Sequence, residues 1–102
     1  MLLGTTFPPK QPAENYIVEI DFDNDLDTLE TISTPTVTSK NLATGADSTG
    51  TFLSGSPNIT GTKVQQRVAG GANGERHRVQ MRITTSNSNT YEHELDVPVE
   101  EF

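Results

Sequence analysis

His77 and His93 are the two histidines of this chain, and imidazole is the side chain that changes charge near neutral pH. Both fall at positions that alternation turns inward on adjacent strands, so pairing of those strands could bring the rings close. Acyl or phosphoryl chemistry would need a nucleophile, a base and an orienting group in reach of one another. No G-x-S-x-G elbow, H-E-x-x-H pair or phosphate-cradling glycine loop accompanies these histidines. Two ligands alone hold zinc poorly. The chain has no cysteine, which removes disulfides, thiol catalysis and thiolate-bound zinc or iron–sulfur clusters. The expectation is therefore a protein that is not an enzyme, with no catalytic residues, no metal and no cofactor.

The second cluster is acidic. Seven acids and no base lie between residues 14 and 30. Asp21, Asp23, Asp25 and Asp27 alternate through it, and hard oxygen ligands at alternate positions suit calcium. An EF-hand needs Gly at its sixth position and Glu at its twelfth. Counted from Asp21, those positions hold Leu26 and Ile32. A solvated loop that meets a partner fits these residues better. Asn58-Ile59-Thr60 matches the glycosylation sequon, which matters only in a secreted eukaryotic chain. Gly70-Gly71-Ala72-Asn73-Gly74 has no base placed for phosphate and reads as a turn, with Asn-Gly a strong hairpin signal.

These groups must be carried by strands. Tyr16 to Phe22 alternates, with Tyr16, Val18, Ile20 and Phe22 on one face and Ile17, Glu19 and Asp21 on the other. Thr31 to Ser39 is mostly β-branched, with Pro35 placing it at an edge or a bulge. Residues 40 to 62 are rich in Gly, Ser, Thr and Asn, with short strands expected around Thr51-Phe52-Leu53 and Asn58-Ile59-Thr60. Lys63 to Ala69 turns Val64, Gln66 and Val68 to one side. Glu75 to Thr85 points His77, Val79, Met81 and Ile83 inward. Tyr91 to Val99 does the same with Tyr91, His93, Leu95, Val97 and Val99. Arg76, Arg78 and Arg82 then lie beside Glu92, Glu94 and Asp96 on the outer face, a ladder that fixes register more than it stabilises. No segment repeats apolar residues at helical spacing. The 15 threonines also favour strands, and turn signals recur about every ten residues. The expected architecture is all-β, an antiparallel β-sandwich.

The chain has 102 residues and a mass of 11.1 kDa, enough for one core. Leu, Ile, Val and Phe supply 23 residues, a thin apolar stock that a covering partner would supplement. The net charge is −7, which repels phosphate backbones, so nucleic acid is not an expected partner. No apolar run approaches membrane-spanning length, and Met1 to Pro9 lacks the marks of a secretory signal. Pro8, Pro9 and Pro12 exclude helix near the start. Two units are expected: an extended N-terminal arm over residues 1–13 and a sandwich over 14–102. Leu2, Leu3 and Phe7 would dock the arm on a neighbouring subunit, and Asp21, Asp23, Asp25 and Asp27 would form a second contact.

The C-terminal half carries a resemblance. Val68-Ala69-Gly70-Gly71-Ala72-Asn73-Gly74-Glu75-Arg76-His77-Arg78-Val79, then Ile83-Thr84-Thr85-Ser86, then Glu92-His93-Glu94-Leu95-Asp96-Val97-Pro98-Val99 resembles small tailed-phage virion proteins of the fibre–tail adaptor type. Asp25-Leu26-Asp27-Thr28-Leu29-Glu30-Thr31-Ile32 is similar to that family's early acidic loop. The family often has Tyr where His77 stands, and Trp on two strands where this chain has none. The resemblance implies an immunoglobulin-like sandwich built into a virion, connecting or decorating the tail or head–tail region. It implies tail, neck or fibre subunits as partners, with self-association in a ring or multicopy assembly; no membrane is expected among them, since no apolar run is long enough to span one. Two other readings fit the same composition. A carbohydrate-binding or adhesin-like module would need aromatic platforms, and Tyr16 and Tyr91 face inward. A capsid decoration protein would differ only in its place on the particle.

Overall fold

The computed structural model describes residues 5–6 and 10–101. Leu2, Leu3 and Phe7 lie outside the described residues. Seven strands and one helical turn run in the order β1 (Thr5–Thr6), β2 (Asn15–Asp21), β3 (Ile32–Asn41), α1 (Thr49–Phe52), β4 (Leu53–Thr60), β5 (Lys63–Ala69), β6 (Arg76–Thr85) and β7 (Thr90–Pro98). One sheet has the order β1-β7-β6-β3 and the other β2-β5-β4. Lettered A to G, these are G-F-C and B-E-D with the first strand joined to the last, the immunoglobulin-like arrangement. Pairing is antiparallel throughout, except that β1 runs parallel to β7.

Alternation builds the core as expected. Val18, Val64, Val68, Val79, Met81, Ile83 and Val97 are fully buried, together with Phe22 at the end of β2. Each such side chain contributes roughly 1.5–3 kcal/mol on leaving water. Pro35 sits in β3, an edge strand, so the edge reading of that proline holds; the register shift of this strand falls before it, between Ile32 and Thr34. Gly71 is required at its turn. Its φ is +88°, and a Cβ there would lie 2.9 Å from Val99 Cγ2.

One element departs from expectation. Thr51-Phe52 belongs to α1 rather than to a strand, and β4 begins only at Leu53. Ser48 C=O accepts from the N–H groups of Thr51 and Phe52 at 3.1 and 2.8 Å. The turn aims Phe52 into the core, where it is 1% exposed. Tertiary burial of one aromatic thus overrides the local strand preference of Thr and Phe.

Candidate functional site

The acidic loop is a built projection. Asp21 accepts from the Thr62 hydroxyl at 2.7 Å and from Asp23 N–H at 2.9 Å. These two bonds hold its carboxyl below the usual aspartate range, the hydroxyl contributing most. Asp25 Oδ2 receives His93 Nε2, which ties the loop to β7. Glu30 is buried and accepts from the Thr85 hydroxyl, from Asn89 Nδ2 at 2.9 Å and from Asp27 N–H at 2.9 Å. Ser86 N–H donates to Thr31 C=O at 2.8 Å. The loop is therefore fastened to the β6–β7 hairpin at several points.

Of the four predicted aspartates, Asp21 and Asp25 carry these ties, and Asp25 is partly buried. The side chains of Asp23 and Asp27 stand in solvent. Among the described residues no three His, Asp or Glu side chains converge as a metal site needs. Between Asp27 and the buried Glu30 stands Leu29, 92% exposed and at φ +68°. A left-handed leucine costs about 1–2 kcal/mol, because its Cβ crowds the following carbonyl. The surrounding hydrogen bonds hold it there.

The two histidines are not brought together. His77 pairs with Val97 and His93 with Met81, four residues apart along the sheet. His93 packs on Phe22 with ring centroids 5.0 Å apart, and its Nδ1 is buried without a partner. His77 lies in a hydrogen-bonded line: Nδ1 meets Ser48 Oγ at 2.9 Å, and Nε2 meets Glu75 Oε1 at 3.0 Å. Serine, histidine and carboxylate in a row is the order of a nucleophilic relay. Here Ser48 is 4% exposed, and its hydroxyl also shares a hydrogen bond with Ser39 at 2.8 Å. The His77 ring stacks flat on Phe52 at 4.0 Å and so packs as an aromatic. Glu75 also accepts from Ala72 N–H and Asn41 Nδ2, at 2.8 and 3.0 Å. Its carboxyl is held below the usual range, chiefly by the His77 hydrogen bond.

The outer ladder forms in one register. Arg82 meets Glu92 at 3.0 Å, and Arg78 meets Asp96 at 2.8 Å in a two-pronged pair. Arg76 reaches Asp96 only at 3.9 Å.

Two residues escaped the sequence reading. Lys10 is fully buried, its Nζ donating to the carbonyls of Gly70 at 2.7 Å, Gln11 at 2.9 Å and Pro12 at 3.3 Å. Its backbone joins Pro98 and Glu100. Burial pushes its ammonium below the usual lysine value, with Glu14 opposing. A lysine between proline and glutamine gives no sign of this, since lysine is seldom buried unpaired. The other is Leu29, whose one signal was an apolar residue among acids and threonines.

The sandwich from Lys10 to the end of β7 corresponds to a known family. The model of the podophage GP4 fiber-tail adaptor protein gp77 family matches residues 10–98. No curated protein and no solved structure matches this chain. A family match over nearly the entire sandwich identifies the chain: it belongs to the podophage GP4 fiber-tail adaptor family and is a structural protein of the phage virion, associated with the tail.

Proposed function

We propose that this subunit joins tail components by passive contacts, in several copies and without turnover. The tip of its acidic loop is one contact, and the apolar residues of the arm, Leu2, Leu3 and Phe7, are another. Leu29 carries the reading of the loop: it is 92% exposed, strained, and held between residues that the fold fastens on both sides. Strain that persists under such bonding marks a functional position. Asp23 and Asp27 flank it, so the complementary surface is an apolar socket with basic residues at its rim. On the other side, Lys10 clamps the arm to the sandwich, leaving Leu2, Leu3 and Phe7 as its apolar contacts with a neighbouring subunit. Weak contacts repeated over several copies add up, which suits the small apolar stock. Nucleic acid is not expected among the partners of so acidic a surface.

Leu29→Gly separates contact from stability. It relieves the left-handed strain, so the isolated chain should gain about 1 kcal/mol in denaturant unfolding. Incorporation into particles, measured in competition with wild type, should fall severalfold. Unchanged incorporation removes the loop tip from the interface. The arm is tested separately by Leu2→Asp with Phe7→Asp, which should also lower incorporation.

A further inference from the structure

We propose that the free edge of β2 accepts an extended basic–apolar segment of another protein as an added strand, filling the place beside β2 that no described residue of this chain occupies. A sheet edge invites strand addition unless proline, a bulge or a covering segment blocks it. Three of the four edges are blocked in these ways, the β7 edge only over its second half, which leaves Thr90 to Glu94 as the rival edge. The β3 edge has Pro35 and a register shift, and its far end is bonded by the following loop, with Ser48 N–H donating to Ser39 C=O at 2.9 Å. The β4 edge has Pro57 and a register break between Ser54 and Asn58. The β7 edge is covered by β1 at Leu95 and Asp96 and by Lys10 at Val99.

The β2 edge has none of these devices. Asn15 to Asp21 pairs with β5 in unbroken register and contains neither proline nor glycine. Among the described residues nothing pairs with its other side. Phe22 N–H donates to Thr62 C=O at 2.8 Å, continuing the pairing towards β5. Backbone direction alternates along a strand, so Tyr16, Val18 and Ile20 bond towards β5. Asn15, Ile17, Glu19 and Asp21 aim their N–H and C=O groups off the sheet. In the four-stranded immunoglobulin sheet the first strand lies beside this one. Here β1 pairs with β7 in the other sheet instead.

The side chains agree with the backbone. Tyr16 and Ile20 point inward yet remain only partly buried, and Ile17 on the outer face is 49% exposed. A neighbouring strand would cover all three. Charge selects the occupant. Glu19 and Asp21 stand on the outer face at the edge, with Glu14 just before the strand, while the bases of that face, Lys63 and Arg67, lie one strand further in on β5. Two copies paired edge to edge would set these acids against each other, and like charges across a ladder are destabilising. The fitting occupant is a segment from a different protein that alternates basic and apolar residues, placing the bases beside Glu19 and Asp21. Backbone hydrogen bonds would give the affinity and alternate side chains the selectivity.

This surface does not depend on the loop-tip contact proposed above, and it is testable on the isolated full chain. The probe is a capped octapeptide alternating lysine and valine, titrated into the isotope-labelled protein with backbone amides followed by NMR. Saturable shifts should centre on Asn15, Ile17, Glu19 and Asp21. A fully N-methylated version, which cannot donate to an edge, should bind roughly tenfold more weakly or worse, as should a glutamate–valine version. Ile17→Pro removes an edge-facing amide and should weaken binding to a similar degree, whereas Ile17→Val should leave it unchanged. If Ile17→Pro fails to fold, the N-methylated peptide decides the question. The proposal is overturned if no saturable shifts occur at millimolar peptide, if they centre on Thr90 to Glu94 or on a sheet face, or if N-methylation leaves binding intact.

Discussion

At the arm end of the sandwich Lys10, Phe52 and His77 form a stack in which each polar group is matched. At the acidic-loop end His93 Nδ1 is buried without a partner, and Leu29 is held out in water against its backbone preference. The Lys10 ammonium lies 6.0 Å from the Phe52 ring centre, and the His77 ring lies flat on the same residue. The contrast follows from what each end must do. The arm end closes the chain on itself, joining Gly70, Pro98 and Lys10. The loop end keeps strain and an unpaired atom, and on the reading proposed above that surface serves a partner.

The largest expected effect tests the closed end. Phe52→Ala removes the ring on which both Lys10 and His77 rest, and should cost about 3–5 kcal/mol in urea unfolding. A loss under about 1 kcal/mol would mean that the stack does not organise this end. Next comes Lys10. Lys10→Met deletes three hydrogen bonds but also relieves a buried charge, so the net loss should be smaller, about 2 kcal/mol. Its pH dependence is more specific. The folded-state value lies below the ordinary 10.5, so between the two the unfolded chain binds more protons. Lys10 therefore makes stability rise with pH through that window and level off above it. Tyr16 and Tyr91 oppose this. Burial raises both hydroxyls above 10.0, and the stability they lend is lost as pH climbs. The difference between wild type and Lys10→Met isolates the lysine, and equal slopes for the two proteins would mean that the ammonium is not desolvated.

The same contrast explains what the sequence revealed. Period-two stretches such as Tyr16 to Phe22 and Tyr91 to Val99 report burial directly, because successive side chains take opposite faces. The Arg–Glu ladder followed from the same parity, with the register then fixed by the turn over residues 86–89 that joins β6 to β7. Lys10 was illegible because its partners are carbonyls, which every residue has. Leu29 was illegible in another way: its φ is set by Glu30, Asp27 and Thr85, and Thr85 is 55 residues from Glu30 in the chain. Phe52 was misassigned because one helical turn leaves no periodicity to find. Asp25 and Asp27 were equivalent by composition, and only the fold bonded the first to His93 while leaving the second in solvent.

The smallest effect sharpens the loop end. Glu30 accepts from Thr85, Asp27 and Asn89, and the Thr85 hydroxyl contributes most to holding its carboxyl below the ordinary 4.5. A depressed folded-state value means stability that is complete above the unfolded value and is lost as pH falls through the folded one. Acidification below about 4.5 should therefore weaken wild type more steeply than Glu30→Gln, whose amide does not titrate. Hydrogen exchange locates the loss. Amides from Asp27 to Thr31, and those of Asn87 and Asn89 that bond to the Thr85 hydroxyl, should lose protection before those of β5 and β6. If β5 and β6 open together with the loop, the two ends form one cooperative unit and the contrast between them is only geometric.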